Sequence, residues 1–287
     1  MTQRIRHGLF CPFFLLKLPA MTHAQNASPP IVEFNNVSKR YGQGPAIIDG
    51  ISLRAERGDF ISLIGPSGCG KSTLLKLISG LSPISGGSIM VDGMAPVDAR
   101  DEMFYVFQEP TLLPWLTAKK NVEVPMRLSR RHLKPKQSAI ALESLALVGL
   151  AERANYYPRQ LSGGQKMRVS IARALSMSPQ ILLMDEPFGA LDEMSRDHLN
   201  EELLAIRQKR AWTAFFVTHS VAEAVFLSNR IVVLSANPGR IHTEIRVDLP
   251  YPRTEETRLS SAYQKLVGEV SALLRSVERL KTTVPHA

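Results

Sequence analysis

The sequence holds too little cysteine for a disulfide framework or a cysteine-rich metal centre. Two cysteines, Cys11 and Cys69, occur among 287 residues, and neither has metal-ligand spacing. That usage suits a reducing cytosol. No apolar stretch reaches the roughly 18 residues of a spanning helix, so a role at a membrane would be served from outside the bilayer and through partner chains. There is no internal repeat and no low-complexity tract, which excludes solenoid and array architectures.

What is present fits a globular chain with a sizeable core: 44% apolar and 21% charged residues. The net charge of +9 is dispersed, apart from a run at Arg127, Arg130, Arg131, Lys134 and Lys136 that reads as a solvated face. Residues 1–28 form an N-terminal extension. Arg4 and Arg6 precede a short apolar run at Gly8–Leu16, which resembles a weak signal peptide broken by Lys17. Translation is expected to start at Met21, with a removable or membrane-touching segment as the alternative.

Alternation predicts strands at Ile31–Val37 and Ile47–Leu53, and Phe60–Ile64 reads as a buried strand. A glycine-rich turn then leads into a helix at Lys71–Ser79. Further strands are expected at Ser88–Val91 and Met103–Phe107. From about 110 to 165 the character changes to helical stretches punctuated by proline and basic residues, such as Lys136–Val148, which predicts an inserted helical subdomain. A helix at Ser162–Met177, a strand at Ile181–Asp185, a helix at Asp192–Lys209, a strand at Thr213–Thr218 and a short helix at Val221–Leu227 follow. Ile231–Leu234 and Ile241–Val247 close the sheet region. The alternation predicts an α/β fold with a mostly parallel sheet over 29–252, and one terminal helix in the tail 253–287.

Gly65-Pro66-Ser67-Gly68-Cys69-Gly70-Lys71-Ser72 fits the phosphate-loop pattern G-x-x-x-x-G-K-[ST], and Thr73 continues into the helix. Glycines let successive backbone N–H groups turn toward phosphate oxygens. The helix start adds its positive end, Lys71 a point charge, and Ser72 an oxygen for Mg²⁺. A plain glycine-rich turn is the blander reading, but the preceding strand and following helix favour the phosphate loop. Ile181-Leu-Leu-Met-Asp185-Glu186 is the matching apolar strand ending in two acids. Asp185 is placed to hold Mg²⁺ and Glu186 to polarise an attacking water.

Leu161-Ser162-Gly163-Gly164-Gln165, upstream of that strand, resembles the signature motif of ABC ATPases. Similarity to this family implies a P-loop NTPase fold with a RecA-like core, an antiparallel β-subdomain and an inserted α-helical subdomain. It implies ATP and Mg²⁺ as ligands, and a head-to-tail homodimer in which Ser162–Gln165 contact the γ-phosphate of ATP on the opposite copy. Position by position, it makes Tyr41 the aromatic that stacks on adenine and Gln108 the residue that contacts Mg²⁺ and senses the γ-phosphate. Ala190-Leu191-Asp192 becomes the loop that crosses to the partner, and His219 the switch histidine. The plainer alternatives are a strand-edge core residue for Tyr41 and a capping residue for His219.

The segments Gln108–Thr117 and Val233–Ile241 resemble the ATPases of nitrate, sulfonate and taurine importers. The resemblance implies membrane permease subunits that dock after Gln108, with Pro114 and Trp115 either in that surface or simply packing the subdomain. It implies a periplasmic or lipid-anchored substrate-binding protein acting indirectly, a peripheral place on the cytoplasmic face of the bacterial inner membrane, and no nucleic-acid partner. Importers of pyrimidine thiamine precursors carry similar ATPases and remain the alternative. Soluble ABC proteins acting on nucleic acid carry two cassettes or long coiled coils, and neither is found here. Cys69 lies within the phosphate loop near Lys71, which would favour a reactive thiolate. The alternative is a small buried residue out of reach.

Overall fold

Phe60–Ile64 is apolar in succession because both of its faces are covered. In the computed structural model this strand, β3, is buried along its whole length. Phe60 and Ile64 enter one core cluster, and Ile61 and Leu63 enter the other. The structure describes residues 29–129, 136–189 and 191–282. The start-site expectation, Cys11, Arg130, Arg131, Lys134 and Ala190 lie outside the described residues.

Two sheets organise the chain. Strands β1 (Val32–Arg40), β2 (Ala46–Ala55) and β4 (Gly86–Val91) form an antiparallel sheet in the order β2-β1-β4. Val32, Phe34 and Val37 of β1 are buried, and a register shift between Phe34 and Val37 absorbs the break in alternation. The second sheet has the order β5-β6-β7-β3-β8-β9, with β5 at Met103–Val106, β6 at Ile181–Asp185, β7 at Thr213–Val217, β8 at Arg230–Leu234 and β9 at Ile241–Arg246. All of its pairs are parallel except β8–β9. The α/β class with a mostly parallel sheet is as the sequence predicts. Edge strand β9 alternates half-buried with exposed residues, as a one-sided antiparallel edge should.

Helix α1 (Lys71–Ile78) leaves β3 through the phosphate loop. Helices α2 (Ala118–Leu128), α3 (Gln137–Leu147) and α4 (Gly163–Leu175) pack together through Val122, Met126, Ala141, Leu145, Met167 and Ile171. Asn121 on α2 is buried. It accepts from Leu113 N at 2.7 Å and donates to Leu113 O and Leu116 O, which fixes the loop ahead of α2. Helices α5 (Glu193–Lys209) and α6 (Val221–Leu227) complete the larger domain.

The tail differs from the expected single helix. It is α7 (Glu255–Leu259) followed by α8 (Ser261–Thr282). Ser260 between them is extended, and its hydroxyl accepts from Tyr263 N at 3.3 Å, which starts the second helix afresh. The tail is held to α6. Buried Arg253 donates to the carbonyls of Val225, Phe226 and Ser228, and Tyr263 Oη donates to Ala222 O at 3.0 Å. No helix among the described residues is long and apolar enough to cross a membrane.

Candidate nucleotide site

Parallel strands deliver their C-terminal ends to one edge of a sheet, and loops from that edge meet there. The phosphate loop follows β3, Gln108 follows β5, Asp185 and Glu186 end β6, and His219 follows β7. Gly70 caps α1 with φ 96°, in the left-handed region that a side chain rarely adopts. Lys71 is buried, and its ammonium donates to Gly65 O at 2.9 Å and Pro66 O at 3.2 Å.

Asp185 is held from two sides. Ser72 Oγ donates to its Oδ1 at 2.8 Å, and Tyr105 Oη donates to its Oδ2, also at 2.8 Å. Burial, then the Asp185 charge, push the Tyr105 phenol far above its ordinary range, so it remains a donor. The hydroxyl and carboxylate oxygens of Ser72 and Asp185 are the hard donors that Mg²⁺ takes when phosphate oxygens and water complete its shell. The residues therefore fit that cation.

Glu186 adopts φ 48°, the left-handed region, just past the strand end. For a glutamate this costs energy and commonly marks a functional position. Its N–H donates to Val217 O at 3.0 Å, and its Oε1 lies 2.7 Å from His219 Nε2. The β7–α6 turn that carries His219 is itself braced. Thr218 Oγ1 donates to the buried Glu223 carboxylate and accepts from Ser220 N at 2.9 Å. Burial raises the Glu223 pKa, against the Thr218 hydrogen bond and the Arg196 charge.

Tyr41 lies just past β1, about half exposed, with Lys39 Nζ 4.6 Å from its ring centroid. Gln108 is exposed. Arg173 of α4 pins the turn beyond it, donating to Pro110 O and Thr111 O at 3.0 Å each.

Cys69 corrects one expectation. Its side chain is fully buried in the core beneath the loop, so a thiol reagent has no path to it in the folded chain. Gly65, Pro66, Ser67, Gly68 and Thr73 lie on the same loop and helix start.

Ser162, Gly163, Gly164 and Gln165 lie elsewhere. They start α4 with a capping box, Ser162 Oγ accepting from Gln165 N and Gln165 Oε1 from Ser162 N. They line a cavity of about 560 Å³ with Arg168, Asp192 and others, and none of residues 65–73 lines it. Asp192 caps α5, accepting from Ser195 N at 2.9 Å, and that bond lowers its pKa. The phosphate loop and the start of α4 thus do not share a cavity within one chain.

Three contributors gave no sequence signal of their role. Tyr105 is an ordinary strand position, and Arg173 one cation among many on a helix. Gly239 sits where a Cβ would lie 2.1 Å from Cys69 O, so only glycine lets the loop after β8 back the phosphate loop. Its neighbour Arg240 pairs with Asp49 at 2.5 Å and holds that carboxyl below its usual range.

A phosphate loop at this edge, with Ser72 bonded to Asp185 at the end of β6, two strands away, defines a phosphate-loop nucleoside triphosphatase. The ABC transporter family matches residues 48–189. An ATP-binding protein of Brucella abortus (strain 2308) is 44% identical over 241 residues, 84% of this chain and 92% of that one. The aliphatic sulfonates import ATP-binding protein SsuB of Bacillus cereus (strain ZK / E33L) is 43% identical over 242 residues, 83% and 94% of the two chains. Among solved structures, the dimeric post-hydrolysis state of the ATP-binding cassette MJ0796 bound to ADP and Pi matches with TM-score 0.68 and 33% identity, over 76% of this chain and 100% of that one. CbiO1 of Clostridium perfringens matches in fold, with TM-score 0.71 at 22% identity, over 88% and 99% of the two chains. The chain belongs to the ABC transporter ATP-binding family; it binds ATP and hydrolyses it.

Proposed function

We propose that the chain is the motor subunit of an importer for a small anion, a sulfonate, taurine or nitrate. Two copies would work head to tail from the cytoplasmic face of the inner membrane beneath permease subunits, with a substrate-binding protein acting indirectly. The observation that carries the dimer is the separation of the two cradles: Lys71 and Ser72 on one, Ser162–Gln165 on the other. Each needs a phosphate that the other holds, and a second copy turned head to tail supplies both.

In this reading ATP stacks on Tyr41, and the loop N–H groups of 65–73 and the Lys71 ammonium hold its phosphates. Ser72, Asp185 and Gln108 would hold Mg²⁺, which would supply positive charge against the phosphates. Glu186 takes the proton of the attacking water. His219 Nε2 lies 2.7 Å from one Glu186 oxygen, and the other is left for that water. The partner's signature helix start then closes on the γ-phosphate.

A groove of about 490 Å³ between the parallel sheet's domain and the helical subdomain supports the permease contact. Leu81, Phe104, Phe107 and Leu128 line it, and Leu128 is 81% exposed. The occupant proposed is an apolar helix of the membrane subunit. Trp115, 69% exposed in the loop ahead of α2, is a second apolar side chain open to a partner. The anion class is supported by the likeness to the sulfonate-import relatives.

The composite site is tested by mixing two inactive variants, Lys71→Ala and Ser162→Arg. A mixed dimer restores one intact site of two, and random pairing of equal amounts makes half of the dimers mixed, so ATPase activity should return to about a quarter of wild type. No recovery on mixing, with both variants folded, refutes the shared site. Deleting the gene should abolish growth on sulfonate, taurine or nitrate as sole sulfur or nitrogen source. Unimpaired growth with lost pyrimidine uptake would transfer the assignment to the thiamine-precursor class.

A further inference from the structure

Asp185 is clamped between two hydroxyls, and only one of them belongs to the phosphate loop. Ser72 Oγ holds Oδ1, and the buried Tyr105 holds Oδ2. When Ser72 turns its oxygen toward a cation, its proton no longer serves Asp185, and the Tyr105 bond is the one left to fix the carboxylate plane. The other end of Tyr105 points to a different surface. Its ring forms part of the apolar groove wall and stacks on Phe107, with centroids 4.3 Å apart and planes 28° from parallel. A single rigid side chain therefore spans from the groove to the acid that ends β6.

We propose that Tyr105 is a positioning residue through which the groove acts on Asp185, its phenol aligning the carboxylate and its ring, braced by Phe107, reporting what lies in the groove. This rests on the reading of Asp185 as the Mg²⁺-side acid and of the groove as the permease contact. A rigid phenyl ring transmits displacement from one end to the other, because it has no internal rotation that could absorb the movement off axis. The bond it carries is a charge-assisted O–H···O⁻, stronger than a neutral pair. A shift of the Tyr105–Phe107 stack would therefore be felt at Asp185 before Gln108, which is exposed, need move.

The test is equilibrium binding of a fluorescent ATP analogue to the full chain during a MgCl₂ titration. Wild type should bind more tightly as Mg²⁺ rises, and Asp185→Asn should lose most of that gain. Tyr105→Phe keeps the ring and deletes only the hydroxyl. It should raise the Mg²⁺ midpoint about tenfold or more, the scale of one lost charge-assisted bond, and leave Mg²⁺-free nucleotide binding within about twofold. Phe107→Leu, which loosens the stack from the groove side, should shift the midpoint the same way by about two- to threefold. In the Tyr105→Phe background it should add nothing. An unchanged midpoint in Tyr105→Phe overturns the positioning role. Additive effects of the two changes overturn the link to the groove. If wild type shows no Mg²⁺ enhancement at all, the Asp185 reading itself fails, which separates that failure from failure of this proposal.

Discussion

Replacing Glu186 with glutamine removes a carboxylate and little else. The side chain keeps its length, and glutamine keeps a polar atom at the position that lies 2.7 Å from His219 Nε2. The left-handed backbone at this position, φ 48°, strains glutamate and glutamine alike, so stability should change by less than about 1 kcal/mol. Lys71, Ser72 and Asp185 keep their partners, and ATP affinity should remain within about twofold. Proton acceptance from water is lost. A positioned base contributes about 10²–10⁴-fold, so steady-state phosphate release should fall at least about a hundredfold, a rise of about 2.7 kcal/mol in the barrier. With binding intact and hydrolysis blocked, the ATP-bound dimer should accumulate and elute early in size-exclusion chromatography with MgATP. Glu186→Asp is the control for reach: it keeps the charge, withdraws it by one methylene, and should also lose most activity. Phosphate release within fivefold of wild type in Glu186→Gln refutes the base assignment. Loss of ATP binding instead would show that Glu186 holds the site together rather than acting on water.

Three further outcomes are expected. Cys69 should resist maleimide in the native protein and react only after denaturation, as read by mass spectrometry of its peptide; native labelling with loss of ATPase activity would contradict the burial described. Gly239→Ala would place a Cβ 2.1 Å from Cys69 O and 2.9 Å from Ile47 O, so the phosphate loop must shift and ATP affinity should weaken by about tenfold or more, whereas unchanged binding would show that the loop after β8 yields freely. Arg253→Met strips donors from four carbonyls, those of Val225, Phe226, Ser228 and Leu249, and should cost about 3 kcal/mol and lower Tm by roughly 6–12 °C, checked by thermal unfolding; a shift below about 2 °C would mean that water replaces the guanidinium.

The parts of this site that sequence made legible are those whose chemistry forces a local spacing. A loop that wraps phosphate needs glycines at Gly65, Gly68 and Gly70 and a lysine directly after them, and all of that lies within one short segment. Glu186 and His219 were placed by order along the chain, and the parallel sheet explains why order suffices: strands that run the same way bring their following loops to one edge whatever separates them in sequence. Long-range contacts that cross between layers have no such rule. Tyr105 reaches Asp185 only because β5 lies beside β6 in register, Val106 opposite Met184, and nothing in Met-Phe-Tyr-Val tells which face meets an acid. Gly239 backs the phosphate loop because Gly239 N donates to Ile47 O and Gly239 O accepts from Asp49 N, a pairing between segments nearly two hundred residues apart in a chain of 287. The tail broke at Ser260 for the opposite reason. The capping signal there is local, but the apolar pattern on both sides suits a helix, and the break is decided by Arg253 and Tyr263 docking on α6. Arg240, in the segment that resembles anion importers, pairs with Asp49 beside the phosphate loop. Its charge is therefore engaged within the chain, holding the loop after β8 to β2, rather than offered to an anion.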